Sequence, residues 1–382
     1  MLIDFLAPPR VLFGPGSCYR LGEEARRLGT RALVITGLRS LLVSGNLDRI
    51  TNPLKQADID TIFYNEVGPE PTIEKVDQVR SLAREQACEM IIGVGGGSVL
   101  DVAKAAAGLF YEESRTKDFY DGRSITTQPL PWIAVPTTAG SGSEATTNAV
   151  LVDPQTGKKC SLRHELWTAQ VAIVDPIFSM SMPKKLTALT GIDALTHAIE
   201  AYTSRWTNPY SEAISEKAAL LIMRNIYTAY NLGRSREARE KMMLGSFLAG
   251  SAIAQVRCGA VHALSHSVGV RYGLPHGLVC GVLLPYVMEF NLPRTLDKYA
   301  RLAHLAGIAA PSLSEEEAAN RLIHYVYRLR AKLGFPNKLN ELGLQREHLS
   351  ELVEAALPSS SLEANPRMAK REDLQDILEK NL

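Results

Sequence analysis

The spacing of hydrophobic positions changes near residue 180. From residue 11 to about residue 176, short β-branched runs alternate with longer amphipathic segments. Strands alternating with helices of this length form βαβ units, so the pattern predicts a mostly parallel sheet. The strands are apolar along nearly their whole length, which indicates cover on both faces. The predicted strands are 32–36, 60–64, 90–94, 132–136 and 171–174, and the predicted helices between the earlier ones are 21–28, 72–87 and 99–110.

The segment 148–171 departs from this alternation. It carries Asp153, Pro154 and Gly157, residue types that favour a turn, between two short runs. The pattern predicts a β-hairpin inserted before the last strand of the sheet.

After Pro183 the apolar residues recur every three or four positions, which is typical of amphipathic helices. We therefore predict an α/β domain over residues 1–180 and an all-helical domain over residues 181–382. The predicted helices of the second domain are 195–202, 213–232, 242–254, 261–270 and 318–333.

Composition narrows the class of protein. The chain has 42 Lys and Arg against 41 Asp and Glu, so a net charge of +1 argues against a nucleic-acid or anionic-membrane binder. Five widely spaced cysteines contain no C-x-x-C pair, which excludes a disulfide or zinc-finger framework. The N-terminus lacks a signal-peptide pattern, and the most apolar stretch, 278–287, is about half the roughly 20 residues of a membrane helix. We expect a cytoplasmic protein.

A glycine run over residues 93–98 follows a predicted strand and opens a helix. Free N–H groups at a helix start, and glycines without Cβ atoms, favour the binding of a phosphate. The spacing is not G-x-G-x-x-G, however, and Ser98 with Asp101 also satisfies a helix capping box. From spacing alone, both a phosphate site and a tight structural turn stay open.

A second loop, residues 136–144, combines glycines with hydroxyl side chains after another strand. Such clusters are often plain loops. Two of them at strand ends of one sheet strengthen the prediction of a ligand, because open α/β sheets bind ligands beyond the carboxyl ends of their strands.

Histidines concentrate in the helical half. Asp193 and His197 are four residues apart and share one helix face, as do His262 and His266, and His276 follows in a turn. A polar ring in such apolar surroundings costs free energy unless it has a partner. A single one would be read as a packed core histidine, but the set predicts a divalent metal site.

These motifs together resemble those of the iron-containing, or group III, alcohol dehydrogenase family, over nearly the whole chain. The resemblance also includes the segment 365–367 near the end. It implies a Rossmann-like α/β domain and an all-helical domain with the active site in the cleft between them, and a homodimer. It implies Asp193, His197, His262 and His276 as metal ligands, and His266 as a residue that moves protons near the substrate.

The resemblance further implies a dinucleotide and a reaction: hydride passes between NAD(P)(H) and an alcohol or aldehyde. The metal, Fe(II) or alternatively Zn, Co or Ni, would act as a Lewis acid. Asn148 and Ile253 fall where the family lines its substrate pocket, and they suggest small to medium aliphatic substrates. The residues expected to bind the dinucleotide are Gly95, Gly96, Gly97, Ser98, Asp101, Thr137, Thr138 and Lys159.

We also predict a preference for NADP over NAD. Family members that use NAD tend to carry Asp after the second strand, where a carboxylate binds the ribose 2′-OH and repels a 2′-phosphate. Here Gly37 takes that place, and Arg39 and Ser40 could bind the phosphate. If Gly37 is only a turn residue, both cofactors would be used.

Four other functions are alternatives to this one. A glycerol-dehydrogenase-like oxidation of polyols remains an alternative. The intact set of four metal ligands argues against a maleylacetate reductase. A dehydroquinate-synthase-like lyase would need basic residues to clamp a phosphorylated substrate, but the ligand helices carry mainly small and apolar neighbours. A non-catalytic nucleotide-binding protein would be expected to have lost one of the metal-binding residues, and none of the four is missing.

Overall fold

The computed structural model describes residues 5–38 and 40–382. The chain forms two compact units, Phe5–Met182 and Pro183–Leu382. The first is an α/β unit around a parallel sheet and the second is helical. The predicted fold class is confirmed.

The first unit contains a six-stranded sheet in the order β1-β8-β5-β4-β2-β3, and its neighbouring strands are all parallel. Strands β6 and β7 form a separate antiparallel pair. The strands are β1 (Arg10–Phe13), β2 (Arg31–Gly37), β3 (Asp60–Val67), β4 (Met90–Gly95), β5 (Trp132–Pro136), β6 (Asn148–Val152), β7 (Lys159–Arg163) and β8 (Val171–Val174).

Helices cover both faces of this sheet. Leu33 and Ile35 of β2 pack in a cluster with α4 and α5, whereas Ala32 and Val34 pack in another with α1 and α3. Both faces are therefore apolar, which explains the continuous hydrophobic strands. The helices of this unit are α1 (Leu21–Arg26), α2 (Ser40–Val43), α3 (Asp48–Gln56), α4 (Ile73–Glu85), α5 (Gly97–Gly108) and α6 (Thr116–Tyr120).

The predicted hairpin is present in β6 and β7, which pair from Asn148 with Arg163 to Val152 with Lys159. At its turn, the Asp153 carboxylate accepts a hydrogen bond from the Gln155 N–H at 2.9 Å. Gly157 has φ +68°, a conformation that glycine adopts at little cost.

The second unit consists of nine α-helices over the residues that the structure describes. The longest spans thirty residues and contains Pro285 and Pro293. The helices are α7 (Lys184–Thr203), α8 (Pro209–Asn231), α9 (Arg236–Val256), α10 (Ala260–Tyr272), α11 (His276–Leu305), α12 (Glu315–Lys332), α13 (Leu349–Ala356), α14 (Ser360–Ala364) and α15 (Arg371–Glu379).

Helix α11 lies against α7 at two glycines. A Cβ atom on Gly277 would lie 2.3 Å from the backbone oxygen of Leu189, and one on Gly281 would lie 2.8 Å from Cγ2 of Ile192. Real Cβ atoms do not approach this closely, so both positions require glycine for the observed packing. This contact brings the start of α11 to the part of α7 that carries Asp193.

Within residues 5–38 and 40–382, no single helix has both the length and the apolar character of a membrane span. The consecutive helices α9 and α10 reach that length and hydropathy only when taken together, and the chain bends by 102° between them.

The end of α5 offers a test of the packing. Alanine normally stabilises a helix relative to glycine by about 0.5–1 kcal/mol. At Gly108, however, a Cβ atom would lie 2.1 Å from the indole of Trp167, which is fully buried. We expect Gly108→Ala to destabilise the protein by about 1–3 kcal/mol, as other overpacked cores are destabilised.

The measurement is the midpoint of urea unfolding. Gly68→Ala is the matched control, because no atom lies within 4 Å of the added methyl group, and its midpoint should be unchanged or slightly higher. A Gly108→Ala variant as stable as wild type would contradict the packing described here.

Candidate functional site

Three helices bring the predicted metal ligands into one buried region of the second unit. Asp193 and His197 lie one turn apart on α7, His262 lies near the start of α10, and His276 is the first residue of α11. Asp193, His197 and His262 are at most 8 % exposed. The i, i+4 spacing on α7 directs both of its side chains to the same side of the helix.

Asp193 lies at the centre of the first set of ligand atoms. Its Oδ1 is 3.4 Å from Nε2 of His276 and 3.8 Å from Nε2 of His262. Two ligands held about 2.1 Å from one tetrahedral ion would lie about 3.4 Å apart. These separations are therefore those of atoms that could share a metal ion.

His197 joins the site through His262. The two rings stack with centroids 4.5 Å apart. Ligand atoms fall into two overlapping groups, each within 4.8 Å: one contains Asp193, His262, His276 and Cys280, and the other contains His197, His262 and Cys258. The structure thus brings three of the four predicted ligands into one group and places the fourth in the adjoining group.

Several of these side chains have a buried polar atom without a hydrogen-bond partner among the described residues. These atoms are Oδ1 of Asp193, Nδ1 of His197 and Nε2 of His262. Most buried polar atoms in proteins are hydrogen-bonded, so three exceptions in one place need an explanation. A metal ion bound to these atoms would satisfy them, and the residues fit a divalent cation.

The charges of the region also favour a cation. Burial lowers the pKa of His262, but Cys258, Cys280 and Glu200 more than offset it and raise that pKa well above its ordinary value. Burial likewise lowers the pKa of His197, and the Asp193 carboxylate contributes most to the opposing, larger effect. The Asp193 and Glu200 carboxylates thus stabilise positive charge at this position.

Sequence reasoning missed Cys258 and Cys280. Cys280 lies one turn after His276 on α11, with its Sγ 3.4 Å from Nε2 of that ring. Cys258 lies in the connection before α10. Burial raises the pKa of its thiol, but His262 and His197 have the larger opposite effect and bring that pKa down to about 7. Both cysteines are four residues from a histidine, Cys258 before His262 and Cys280 after His276, and that spacing is the signal that could have identified them.

His266 lies at the edge of the cluster and is partly exposed. Its ring centroid is 5.1 Å from that of His276 and 6.3 Å from that of His262. His266 belongs to neither of the two groups of ligand atoms found among the described residues.

The glycine run lies in the first unit, at the start of α5. Gly96 is the N-cap of this helix, so the predicted Ser98–Asp101 capping box is wrong. The Ser98 hydroxyl instead donates to the carbonyl of Pro69 at 2.5 Å, and the Asp101 carboxylate accepts from Ser143 Oγ at 2.6 Å and from Val150 N at 3.0 Å.

The second loop lies directly against this run. A Cβ atom on Gly97 would lie 2.8 Å from Ser141 Oγ, and one on Gly96 would lie 3.3 Å from the side chain of Thr138. The Thr137 N–H donates to the carbonyl of Gly95 at 2.9 Å. The absent Cβ atoms therefore allow the two loops to pack together, which supports a structural role for the glycines. The phosphate site stays a prediction.

Lys104 on α5 binds the segment from the second loop to the start of β6 from within the core. Its buried ammonium donates to Ser143 Oγ at 3.0 Å, to Thr146 Oγ1 at 2.7 Å and to the carbonyl of Asn148 at 2.7 Å. Burial lowers the pKa of Lys104 to about 8, and burial raises the pKa of the neighbouring Glu144 to about 7.

Two other predicted cofactor residues, Lys159 and Gly37, lie in the same unit. Lys159, at the start of β7, forms an ion pair with Glu70 at 2.7 Å. Gly37 ends β2 at an irregularity of its register with β3, beside a cavity of about 180 Å³ that Leu41 and Phe63 also line. Arg39 and the side chain of Ser40 lie outside the described residues.

The two residues expected at the substrate pocket have different surroundings. Asn148 begins β6, and its amide donates to Ser161 Oγ at 3.1 Å. Ile253 is 9 % exposed and packs with Ala201, Ala252 and Val256 in a small apolar cluster.

Comparisons with known proteins show similarity along nearly the whole chain. A model of the iron-containing alcohol dehydrogenase family matches residues 8–176, and a model of the C-terminal part of the Fe-containing alcohol dehydrogenase family matches residues 187–382. The chain is 37% identical to a 1,3-propanediol dehydrogenase of Citrobacter freundii, with 98% of each chain covered. It is 36% identical to a long-chain-alcohol dehydrogenase of Geobacillus thermodenitrificans, covering 97% of this chain and 95% of the other.

The similarity extends to a solved structure. The crystal structure of a 1,3-propanediol oxidoreductase superposes with a TM-score of 0.96 at 33% identity, and all of each chain is covered.

Proposed function

The chain belongs to the iron-containing alcohol dehydrogenase family, and we infer from this membership that it interconverts alcohols and aldehydes with a nicotinamide dinucleotide. The observation that carries the assignment to particular residues is the buried cluster around Asp193. Oδ1 of Asp193, Nδ1 of His197 and Nε2 of His262 lack hydrogen-bond partners among the described residues. Oδ1 of Asp193 lies 3.8 Å from Nε2 of His262 and 3.4 Å from Nε2 of His276, which are separations expected of ligands to one ion.

We propose that Asp193, His197, His262 and His276 hold a divalent ion. One carboxylate and three imidazoles suit Fe(II), and they would also accept Zn, Co or Ni. When bound, the ion supplies Lewis acidity that polarises the substrate oxygen. Three of the four side chains are at most 8 % exposed, so most of this position is shielded from water.

His266 is proposed to move the substrate proton. Its partly exposed ring lies next to His276 and outside both groups of ligand atoms, which suits a residue that exchanges protons with solvent. A histidine is the side chain whose ordinary pKa best suits this task near neutral pH.

The dinucleotide is proposed to bind at the glycine run and the second loop. The N–H groups at the start of α5 favour a phosphate, and absent side chains let it approach. The proposed residues are Gly95, Gly96, Gly97, Ser98, Thr137, Thr138 and Lys159, with Gly37, Arg39 and Ser40 toward the ribose. Asp101 would act by holding the second loop through Ser143.

The substrate is proposed to be a small to medium aliphatic alcohol or aldehyde. The similarity to a 1,3-propanediol dehydrogenase and to a long-chain-alcohol dehydrogenase supports aliphatic substrates with one or two hydroxyl groups. Asn148 and Ile253 remain proposed pocket residues. A cytoplasmic homodimer remains our expectation.

The metal can be tested directly. Removing it with a chelator should abolish alcohol oxidation, and adding Fe(II) back should restore it. His197→Ala should lose bound metal and activity together, because a missing ligand distorts the set. His324→Ala, at an exposed position on α12, is the matched control and should retain both. Full activity of metal-free protein, checked by elemental analysis, would contradict the proposal.

His266→Ala separates proton transfer from metal binding. We expect metal content to stay at the wild-type value and kcat to fall by about 10²-fold or more, as for other lost acid or base groups. Elemental analysis and the pH dependence of kcat are the measurements. Loss of the metal, or an unchanged rate and pH profile, would show that His266 has another role.

The choice of cofactor tests Gly37. A carboxylate at this position would repel the 2′-phosphate of NADP, and its absence supports a preference for NADP(H). Values of kcat/KM for both cofactors should favour NADP(H) in wild type and shift toward NAD(H) in Gly37→Asp. A wild-type preference for NAD(H), or no shift in the variant, would refute this account of the β2 end.

A further inference from the structure

We propose that Glu200 is a positioning residue for the metal centre: its carboxylate fixes the ring of His262 with Nε2 directed at Asp193. The inference rests on the proposed function, because it concerns how a ligand of the proposed ion is held. Glu200 was not among the site residues predicted from the sequence.

The hydrogen bond from His262 to Glu200 is short and buried. Nδ1 of the ring lies 2.5 Å from Oε2 of the carboxylate, and both side chains are at most 5% exposed. An ionised carboxylate can only accept, so Nδ1 must carry a proton. In the neutral ring the lone pair is then on Nε2, the atom that lies 3.8 Å from Asp193 Oδ1.

The other carboxylate oxygen holds the helix that carries His262. Helix α10 has no N-cap side chain of its own, and its first N–H groups need acceptors. Oε1 of Glu200 accepts from the Val261 N–H at 2.8 Å, and Oδ1 of Asn365 accepts from the Ala260 N–H at 3.1 Å. One carboxylate therefore sets both the position of the helix start and the rotation of the ring.

Gly259 makes this arrangement possible. A Cβ atom there would lie 2.9 Å from Glu200 Oε1 and 2.9 Å from Asn365 Oδ1. The absent side chain leaves room for both acceptors at the start of α10.

Glu200 also shares its helix with two proposed ligands. Asp193, His197 and Glu200 are spaced i, i+4 and i+7 on α7, which places them on one helix face. The same rigid element thus presents two ligands directly and orients a third through the hydrogen bond. Carboxylates behind metal-binding histidines commonly fix the ring tautomer in this way.

Glu200→Gln tests the role with little change of shape. Its amide group would donate toward Nδ1 of His262, or its oxygen would be the only acceptor left for both Nδ1 and the backbone. In the first arrangement the ring would favour a proton on Nε2, the nitrogen needed for the metal. In the second arrangement the amide NH2 group would face the Val261 N–H, and the start of α10 would lose that acceptor. We expect the dissociation constant for Co(II), measured by chelator competition on the full-length protein, to rise about 10–100-fold. The visible spectrum of bound Co(II) should change as well.

Asn365→Ala is the matched control. It removes the other side-chain acceptor at the start of α10 and breaks the pairing with Asn291, but it leaves the His262 ring bonded to Glu200. The melting temperature of its metal-free form should fall, whereas its Co(II) affinity and spectrum should match wild type. Glu200→Asp, which keeps the charge but withdraws the carboxylate by one methylene, should also weaken Co(II) binding, and it decides the matter if Glu200→Gln does not fold.

The outcomes are distinguishable. Wild-type protein that binds no Co(II) would overturn the proposed metal centre and this role with it. Wild-type binding together with wild-type affinity and spectrum in the Glu200 variants would overturn only the role of Glu200. An Asn365→Ala variant that loses as much affinity as Glu200→Gln would show a merely structural effect and would also overturn it.

Discussion

The close contact between α11 and α7 is the constraint on which the proposed metal centre depends. Gly277 and Gly281 allow the two helices to approach until an added Cβ atom would overlap Leu189 or Ile192. His276 is the residue before the first of these glycines, so the same contact holds its ring 3.4 Å from Asp193. A wider separation of the helices would leave a buried carboxylate and buried rings too far apart to share an ion.

The first unit also buries a charged side chain, and neighbouring protein groups stabilise it. Lys104 carries a charge in the core of that unit, and an isolated buried charge is costly. Three oxygens from the second loop and β6 accept from it, and Asp101 is 3.9 Å away. The Asp101 carboxylate holds the second loop and β6 through Ser143 and Val150. Among the described residues Lys104 is satisfied, whereas Oδ1 of Asp193 is not.

Strong periodicity made much of the fold predictable. The parallel sheet, the hairpin and most long helices follow from alternation and helical spacing, because burial on one or both faces leaves a clear pattern. Helix α11 was missed because Pro285 and Pro293 resemble helix breaks, although both lie within its thirty residues. The capping box was wrong because tertiary partners, Pro69 and Ser143, bind Ser98 and Asp101 instead.

The site was predictable only in part. The i, i+4 spacing of Asp193 and His197 was visible in the sequence, and so was that of His262 and His266. The four-residue spacing of Cys258 from His262 and of Cys280 from His276 was visible as well. That these side chains meet Asp193 and Glu200 was not visible, because the contact arises where α7, α10 and α11 pack together. Contacts between distant segments are set by tertiary packing, for which one sequence gives no spacing rule.

Anomalous diffraction from crystals of protein loaded with Co(II), recorded on both sides of the metal absorption edge, would locate the ion among the four proposed ligands. We expect one strong peak within about 2.0–2.4 Å of an oxygen of Asp193 and of a ring nitrogen of each of His197, His262 and His276. A peak bound instead by Cys258 with His197 and His262, or no peak near Asp193, would contradict this expectation.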